Sequence, residues 1–510
     1  MQNRRKLATR NIIASVLVNI LIFPIQFINR YYMVKYLGIT YLGITSLYTN
    51  IISVLSLADL GVGAAIIFLL YKPLADKDYD KVSLLMKYYR NIYRIIAFVI
   101  FFLGISVIPF LQLFLHNSIN YSYVYLLFII YLAGAASSYL FSYNQSLLLA
   151  DQKNRIFSWI YLIVSYAMIS GQIITVKLFR NPILYAVFYV FTNFVTNIFV
   201  SIYVNRNYKL NYHVNDKLSE IEKKEMKSNI FGNMVMRISG VIVTGTDSML
   251  LSAFTNVIQV GLYANYTTLT NVISKIMTQG FNALTGSIGN YIVSNTNDKN
   301  KVLFFNLQFL NFYVLNVAIL GICFASKDVI ILWLGEKYVI SSLNTLLLAL
   351  SFYFMNYRML GWSYISVYGL SKYMKLFSVS EMIINFVASL ILLEVFKLGI
   401  TGIILGTIFS TLLTVGWQDP YVIFHKGFRS SMKKYIYIYI KNVIILLIEM
   451  ISLKFVLLIV NTYTNFSLVP HLVITIVCIL IIGIIFPLVC YYNSEEEKYL
   501  FSLLKSIFFR

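Results

Sequence analysis

Long, unbroken runs of apolar residues fill this 510-residue sequence, and they limit the folds that the chain can adopt. A run of about twenty apolar residues can cross a hydrocarbon core roughly 30 Å thick. In lipid, a helix satisfies its backbone hydrogen bonds within one segment. Only 12% of the residues are charged, whereas soluble domains have about a quarter. We therefore predict an all-α, polytopic membrane protein with fourteen transmembrane helices.

The predicted helices are the apolar runs between polar breaks, and one long polar segment divides them. They cover residues 12–34, 43–71, 91–115, 122–148, 156–179, 183–204, 231–254, 259–292, 303–325, 343–368, 377–396, 400–424, 437–460 and 469–491. The predicted domains are an N-lobe of six helices (1–204), a cytoplasmic linker with an amphipathic helix (205–230), a C-lobe of six helices (231–424), a terminal helix pair (425–491) and a cytoplasmic tail (492–510).

The two predicted lobes share residues at a constant offset of 218 positions. Both lobes also place a glycine at the start of a long second helix. Secondary transporters are often built from such internal repeats, with the substrate site between them. We therefore interpret the lobes as a duplication. The identical pairs are Asn11/Asn229, Ile12/Ile230, Ile20/Ile238, Gly43/Gly261, Tyr48/Tyr266, Thr49/Thr267, Val54/Val272 and Ser56/Ser274.

The formal net charge of +21 results from Lys and Arg residues that are concentrated in alternate loops. This distribution follows the positive-inside rule and predicts that both termini are cytoplasmic. The excess positive charge then faces anionic lipid headgroups. We therefore expect membrane lipids as partners, and no nucleic acid.

Cysteine and histidine spacing predicts neither a metal site nor a cofactor. The three cysteines lie in apolar segments without paired spacing, and the four histidines are scattered. The sequence also lacks the G-x-x-x-x-G-K-[ST] loop that binds nucleotide phosphates. We therefore predict that the protein is not an enzyme and does not hydrolyse ATP itself.

Four segments carry a resemblance to a known family. Residues 37–75 (LGITYLGITSLYTNIISVLSLADLGVGAAIIFLLYKPLA) resemble the first loop and second helix of Wzx-type polysaccharide flippases, members of the multidrug/oligosaccharidyl-lipid/polysaccharide (MOP) exporter superfamily. Residues 247–263 (DSMLLSAFTNVIQVGLY) are similar to the seventh helix and its exit. Residues 149–155 (LADQKNR) and 332–338 (WLGEKYV) resemble loops of the same proteins.

The resemblance implies a V-shaped transporter of two lobes, similar to multidrug and toxic compound extrusion (MATE) proteins. Such proteins move undecaprenyl-pyrophosphate-linked oligosaccharides from the inner to the outer leaflet of the bacterial plasma membrane by alternating access. The products become surface polysaccharide, such as capsule or exopolysaccharide. Glycosyltransferases and a polysaccharide polymerase are the expected partners. The terminal pair favours a lipid-linked substrate, because drug exporters of the superfamily usually have twelve helices.

Ionisable residues inside the membrane are the best candidates for the site, since each costs about 2.5–3.5 kcal/mol at a helix centre. Lys275 and Arg358 lie near the predicted midplane, and we predict that they bind the pyrophosphate headgroup. Arg can bond a phosphate through two nitrogens, and Lys acts as a point charge. In the alternative interpretation each pairs with a carboxylate, since Asp247 and Glu381 belong to the same predicted lobe.

Four residues are gate or coupling candidates: Arg30, Asp247, Asp59 and Glu381. Arg30 and Asp247 could form an ion pair that closes the outer side, or Arg30 could extend to the interface. Asp59 could couple transport to an ion gradient, although the ADLG segment also resembles a structural signature in which glycine permits close helix contact.

Asn193 and Asn197 share a helical face and are candidates for lining a sugar cavity. Hydrogen bonding between helices explains them equally well.

Two other functions are alternatives to the flippase. An ion-coupled drug exporter is disfavoured by the extra helix pair and the intramembrane cations. A membrane polymerase or glycosyltransferase is disfavoured because every predicted outer loop is short.

Overall fold

The computed structural model describes residues 2–56, 62–115, 121–208, 210–212, 240–241, 245–463 and 466–508. Its regular secondary structure is helical throughout these ranges, with no strand. The predicted all-α fold class is therefore confirmed. Asp59 and the amphipathic segment 217–227 lie outside the described residues, as do most of the predicted linker and much of predicted helix seven.

The chain divides into two compact units, Met1–Gly261 and Leu262–Arg510. The boundary falls inside a long helix, so residues 245–261 belong to the first unit. The lobe boundaries predicted from the sequence stay a prediction. The helices are α1 Gln2–Leu55, α2 Val62–Asp76, α3 Tyr79–Val107, α4 Leu111–Leu115, α5 Tyr121–Ala150, α6 Asn154–Ile174, α7 Pro182–Asn207, α8 245–254, α9 Val257–Ser294, α10 Asn297–Leu320, α11 Ser326–Trp333, α12 Ser342–Tyr357, α13 Met359–Val367, α14 Ser371–Glu394, α15 Ile400–Leu413, α16 Val415–Val422, α17 Lys433–Tyr463, α18 Leu468–Cys490 and α19 Glu495–Phe508.

Ten helices in the described ranges are long and apolar enough to cross a membrane. They correspond to the first predicted span, the third to sixth, the ninth and the eleventh to fourteenth. The second span covers the end of α1 and the start of α2, with undescribed residues between them, and much of the seventh span is undescribed. The eighth is α9, which carries many polar residues, and the tenth is interrupted at Arg358. The count of fourteen therefore stays a prediction.

Gly38 bends α1 between its two apolar stretches. Its backbone has φ 82° and ψ 170°, whereas the residues on both sides are helical. A residue with a Cβ rarely adopts such a positive φ, and glycine does so at little cost. Gly38 therefore lets the chain change direction without a loop.

Gly43 and Gly261, which are equivalent positions of the predicted repeat, lie at a close contact between helices in the first unit. A Cβ built on Gly43 would lie 1.8 Å from the carbonyl oxygen of Val257, and one on Gly261 would lie 2.7 Å from the carbonyl oxygen of Ile39. Ile39 and Val257 are themselves separated by 218 positions. Such reciprocal contacts are what a two-fold relation between equivalent segments produces. This geometry supports the interpretation of a duplication.

We expect Gly43→Ala to destabilise the protein, because the added methyl group would overlap a backbone carbonyl. Overpacking of this kind costs about 1–3 kcal/mol. Thermal unfolding of the purified protein in detergent measures the effect. Gly280→Ala is the control, since no described atom lies within 4 Å of a Cβ there. Equal unfolding temperatures for the two variants would contradict the close contact.

The loop 149–155, one of the segments behind the family resemblance, ties α1 to the turn between α5 and α6. The Asn11 side chain donates from Nδ2 to the Gln152 carbonyl oxygen at 2.6 Å, and its Oδ1 accepts from the Arg155 backbone N–H at 3.2 Å. Lys153 pairs with Asp151 at 2.7 Å and donates to the Tyr208 hydroxyl at 3.1 Å. The polar residues of this motif therefore hold α1 and the end of α7 against the turn between α5 and α6.

In the second unit, the terminal pair α17–α18 packs against α10. Tyr491 donates to Asn442 Oδ1 at 2.6 Å, and Asn442 Nδ2 donates to the Tyr357 hydroxyl at 3.1 Å. A Cβ on Gly483 would lie 3.1 Å from the Leu320 side chain, so α18 approaches α10 closely. The terminal pair is thus joined to the residue that precedes Arg358.

Candidate functional site

The tenth predicted span is broken at Arg358, between α12 and α13. Such a break removes helical hydrogen bonds from carbonyl groups, and these groups need other donors in a membrane protein. Two amides of α10 provide them. Gln308 Nε2 donates to the Tyr357 carbonyl oxygen at 3.1 Å, and Asn311 Nδ2 donates to the same oxygen at 2.9 Å. Polar side chains of the neighbouring helix α10 therefore stabilise this break.

Arg358 lies at the centre of a buried ion-pair cluster with Glu381 of α14 and Asp419 of α16. Its Nε donates to Asp419 Oδ2 at 2.7 Å, and its Nη1 donates to Glu381 Oε1 at 3.1 Å. The side chains of Arg358 and Glu381 are each 12% exposed, and that of Asp419 is 1% exposed. The guanidinium also lies 5.2 Å from the centroid of the Trp362 ring. The cluster therefore joins the break between α12 and α13 to α14 and α16.

The cluster contains one guanidinium and two carboxylates, so Arg358 is paired with acids. This is the alternative interpretation that the sequence left open, with Glu381 as one of the two partners. The role of Arg358 as a headgroup ligand stays a prediction. Sequence reasoning missed Asp419. A signal was present, because Gln418 and Asp419 interrupt an apolar run inside predicted helix twelve.

One face of α9 packs against the broken helix through polar contacts. Ser274 donates to Asn356 Oδ1 at 3.0 Å, and Thr285 donates to the Ser363 hydroxyl at 3.0 Å. Lys275 follows Ser274 and is exposed. None of the ion pairs found in the described ranges involves Lys275. Its ammonium group is therefore available to an anionic ligand.

The solvent-accessible residues of α9 form two separate faces. Lys275 and Asn271 are exposed on one face, together with the half-buried Thr268 and Gln279, and successive members are three or four positions apart along the helix. Ile276, Leu284 and Tyr291 are also exposed. At 3.6 residues per turn, they lie about 100° to 180° around the helix from Lys275. The apolar face suits lipid, and the polar face suits a water-filled surface.

In the first unit, Arg30 belongs to a polar and aromatic cluster. It interacts electrostatically with Tyr189 and Tyr185. Its neighbour Asn29 donates to Gln172 Oε1 at 2.6 Å and to the Tyr185 hydroxyl at 2.9 Å. The cluster places a cation among hydroxyl and amide groups.

The other gate and cavity candidates are dispersed. Asp247 is buried in α8, and the ion pairs found in the described parts of the chain do not join it to Arg30. Asn197 is buried and donates to the Ser138 carbonyl oxygen at 2.8 Å, which is a contact between α7 and α5. Asn193 is exposed on the same helix. Of the two asparagines, Asn193 is therefore the one available to a ligand.

Ten membrane-length helices in the described ranges identify a multi-pass membrane protein. Residues 8–284 match the family described as polysaccharide biosynthesis protein. This match covers more than half of the chain, and the protein belongs to that family. No curated protein matches the sequence.

Several solved structures of other proteins have a similar fold. An inward-facing multidrug resistance MATE family transporter of the MOP superfamily superposes with a TM-score of 0.63 and 13% identity, over 80% of this chain and 97% of that chain. The lipid II flippase MurJ in an inward closed conformation gives a TM-score of 0.61 and 15% identity, over 94% and 98%. A mutant of the Vibrio cholerae MATE transporter VcmN gives 0.59 and 15%, over 84% and 99%. The MATE-like fold and the MOP resemblance expected from the sequence are confirmed.

Proposed function

We propose that the protein flips undecaprenyl-pyrophosphate-linked oligosaccharides from the inner to the outer leaflet of a bacterial plasma membrane. The observation that carries this proposal is Lys275, an exposed cation on a polar face of α9 in a multi-pass membrane protein. Family membership supports a role in polysaccharide biosynthesis. The fold is also that of a lipid II flippase, whose substrate is a lipid.

Lys275 binds the pyrophosphate in this proposal. Its ammonium group acts as a compact point charge with three donors, which suits a pyrophosphate group. The attraction is stronger in a low-dielectric cleft than in water. Asn271 and Gln279, on the same face, supply neutral hydrogen-bonding groups beside the cation. Asn193 is the sugar-contact candidate in the first unit.

The cluster of Arg358, Glu381 and Asp419 positions the broken helices beside α9 in this mechanism. Ser274 contacts Asn356, two residues before Arg358, so a shift of the cluster would move the helix that carries Lys275. The headgroup enters from the cytoplasmic leaflet, the polyprenyl tail stays in lipid, and alternating access releases the sugar on the outer side. Both termini are cytoplasmic. Glycosyltransferases supply the substrate, and a polymerase consumes it.

Depletion of the protein in its own cells tests the proposal. We expect undecaprenyl-pyrophosphate-linked sugar to accumulate and surface polysaccharide to disappear, because translocation is the step between synthesis and polymerisation. Mass spectrometry of extracted lipids measures the first effect. Unchanged lipid-linked sugars, together with increased sensitivity to cationic drugs, would contradict the proposal and favour the drug-exporter alternative.

A further inference from the structure

Glu449 is a carboxyl group buried at the middle of a membrane-spanning helix. It lies near the centre of α17, a 31-residue helix, and its exposed fraction is 0%. The proposed transport mechanism does not use it. An isolated carboxylate in such a place is very costly, so buried acids are paired or neutralised. Glu449 therefore needs a partner that neutralises its charge.

The neighbouring side chain is Asn316 of α10, which is also completely buried and interacts with the Glu449 carboxyl group. Asn316 Nδ2 donates to the Gly483 carbonyl oxygen of α18 at 3.4 Å. Among the described residues, no hydrogen bond of normal geometry reaches either Glu449 oxygen or Asn316 Oδ1. The Glu449 carboxyl group is therefore buried beside the Asn316 side chain, where α10, α17 and α18 meet, without a formed hydrogen bond.

No cation of the described chain neutralises this carboxyl group. Lys441 of the same helix donates to the Cys490 carbonyl oxygen at 3.0 Å, and Lys454 is exposed. Tyr313 of α10 donates its hydroxyl to the Ile484 carbonyl oxygen at 3.2 Å. The titratable groups on the packed elements are Tyr313, Lys441, Lys454, Cys490 and Tyr491, and none of their described hydrogen bonds reaches Glu449.

We propose that Glu449 is a proton-binding site, whose neutral carboxyl group hydrogen-bonds with the Asn316 side chain and joins the terminal helix pair to α10. One proton removes the charge. A metal cation fits less well, because Ca²⁺, for example, takes about six to eight oxygen ligands, and three unpartnered oxygens lie here. Loss of the proton would place a negative charge in the contact and loosen α17 and α18 from α10.

Infrared difference spectra of the full-length protein in lipid nanodiscs test this site. The wild type should show the carbonyl band of a protonated carboxylic acid that Glu449→Gln lacks. Glu394→Gln, which changes an exposed glutamate at the end of α14, should keep the band. Asn316→Leu should move it to higher frequency, because the hydrogen-bonding partner is gone. A spectrum that Glu449→Gln leaves unchanged would overturn the proposal.

The pH dependence of the unfolding temperature gives a second readout. A native state that holds an extra proton loses stability as pH rises, since the unfolded chain releases that proton. We expect the wild type to follow this trend more steeply than Glu449→Gln, whose amide can still form a hydrogen bond with Asn316 and does not titrate. Equal slopes would refute the proton site. Stabilisation of the wild type by Na⁺ or Ca²⁺, absent from Glu449→Gln, would show a metal cation site instead. These results do not depend on the transported substrate.

Discussion

Replacing Lys275 with Gln is expected to weaken the binding of undecaprenyl pyrophosphate roughly ten- to a hundredfold. A hydrogen bond to a charged group contributes about 1.5–3 kcal/mol, and each 1.4 kcal/mol or so is tenfold in affinity. Lys275 is exposed on the polar face of α9, so its loss leaves no buried partner uncompensated. Lys275→Arg should retain most of the affinity, and Lys275→Glu should abolish it. Binding of the lipid to purified protein in nanodiscs measures these effects.

Lys375→Gln is the matched control, because Lys375 is an exposed lysine of α14 in the same unit. It changes the net charge equally, so it separates a specific contact from general attraction between a basic protein and an anionic lipid. The assay also needs salt above physiological ionic strength, since screening reduces unspecific attraction between exposed charges. If both lysine variants lost affinity equally, Lys275 would not be the headgroup ligand.

Replacing Arg358 with Gln is expected to destabilise the protein by about 3–5 kcal/mol, because two buried carboxylates would lose their shared cation. Glu381 and Asp419 would then face each other's charge inside the helix bundle. Unfolding of the purified protein, followed by temperature or denaturant, measures the loss. Arg358→Lys should recover only part of it, because an ammonium group lacks the fork that bonds two carboxylates.

A variant that neutralises the whole cluster separates stability from substrate binding. Arg358→Gln combined with Glu381→Gln and Asp419→Asn leaves no buried charge in the cluster, and the two acid-to-amide changes are nearly isosteric, so most of the stability should return. If this variant also transports, Arg358 is a positioning residue. If it is stable but does not bind undecaprenyl pyrophosphate, the headgroup role predicted from the sequence is correct. Full stability of Arg358→Gln alone would contradict the ion-pair cluster.

The membrane-spanning elements could be predicted well, because apolar runs encode them locally. In the described ranges, ten helices satisfy length and hydropathy together. The separation of the first two spans was predicted as a loop, and the structure has a bend at Gly38 inside one helix instead. The break at Arg358 was not predicted, because an arginine inside an apolar run does not by itself show where a helix ends. The break at Arg358 depends on Gln308 and Asn311, which are far away in sequence.

The candidate site was only partly predictable. Lys275 and Arg358 look alike in the sequence, since both are single cations in apolar segments. Their environments differ because α14 and α16 bring two carboxylates to Arg358, whereas Lys275 is exposed. Asp419 precedes a proline near the end of a predicted span, and such positions often lie at the interface. Side-chain pairing between helices is tertiary information that periodicity does not contain.

The order in which the chain is synthesised matters for the amide donors at the break between α12 and α13. Gln308 and Asn311 belong to α10, which leaves the ribosome before α12. When the segment around Tyr357 enters the bilayer, its partners are therefore already there. The interrupted segment can then bend during biosynthesis without exposing a bare carbonyl group to lipid, and a version of the chain with α10 placed later would lack this advantage.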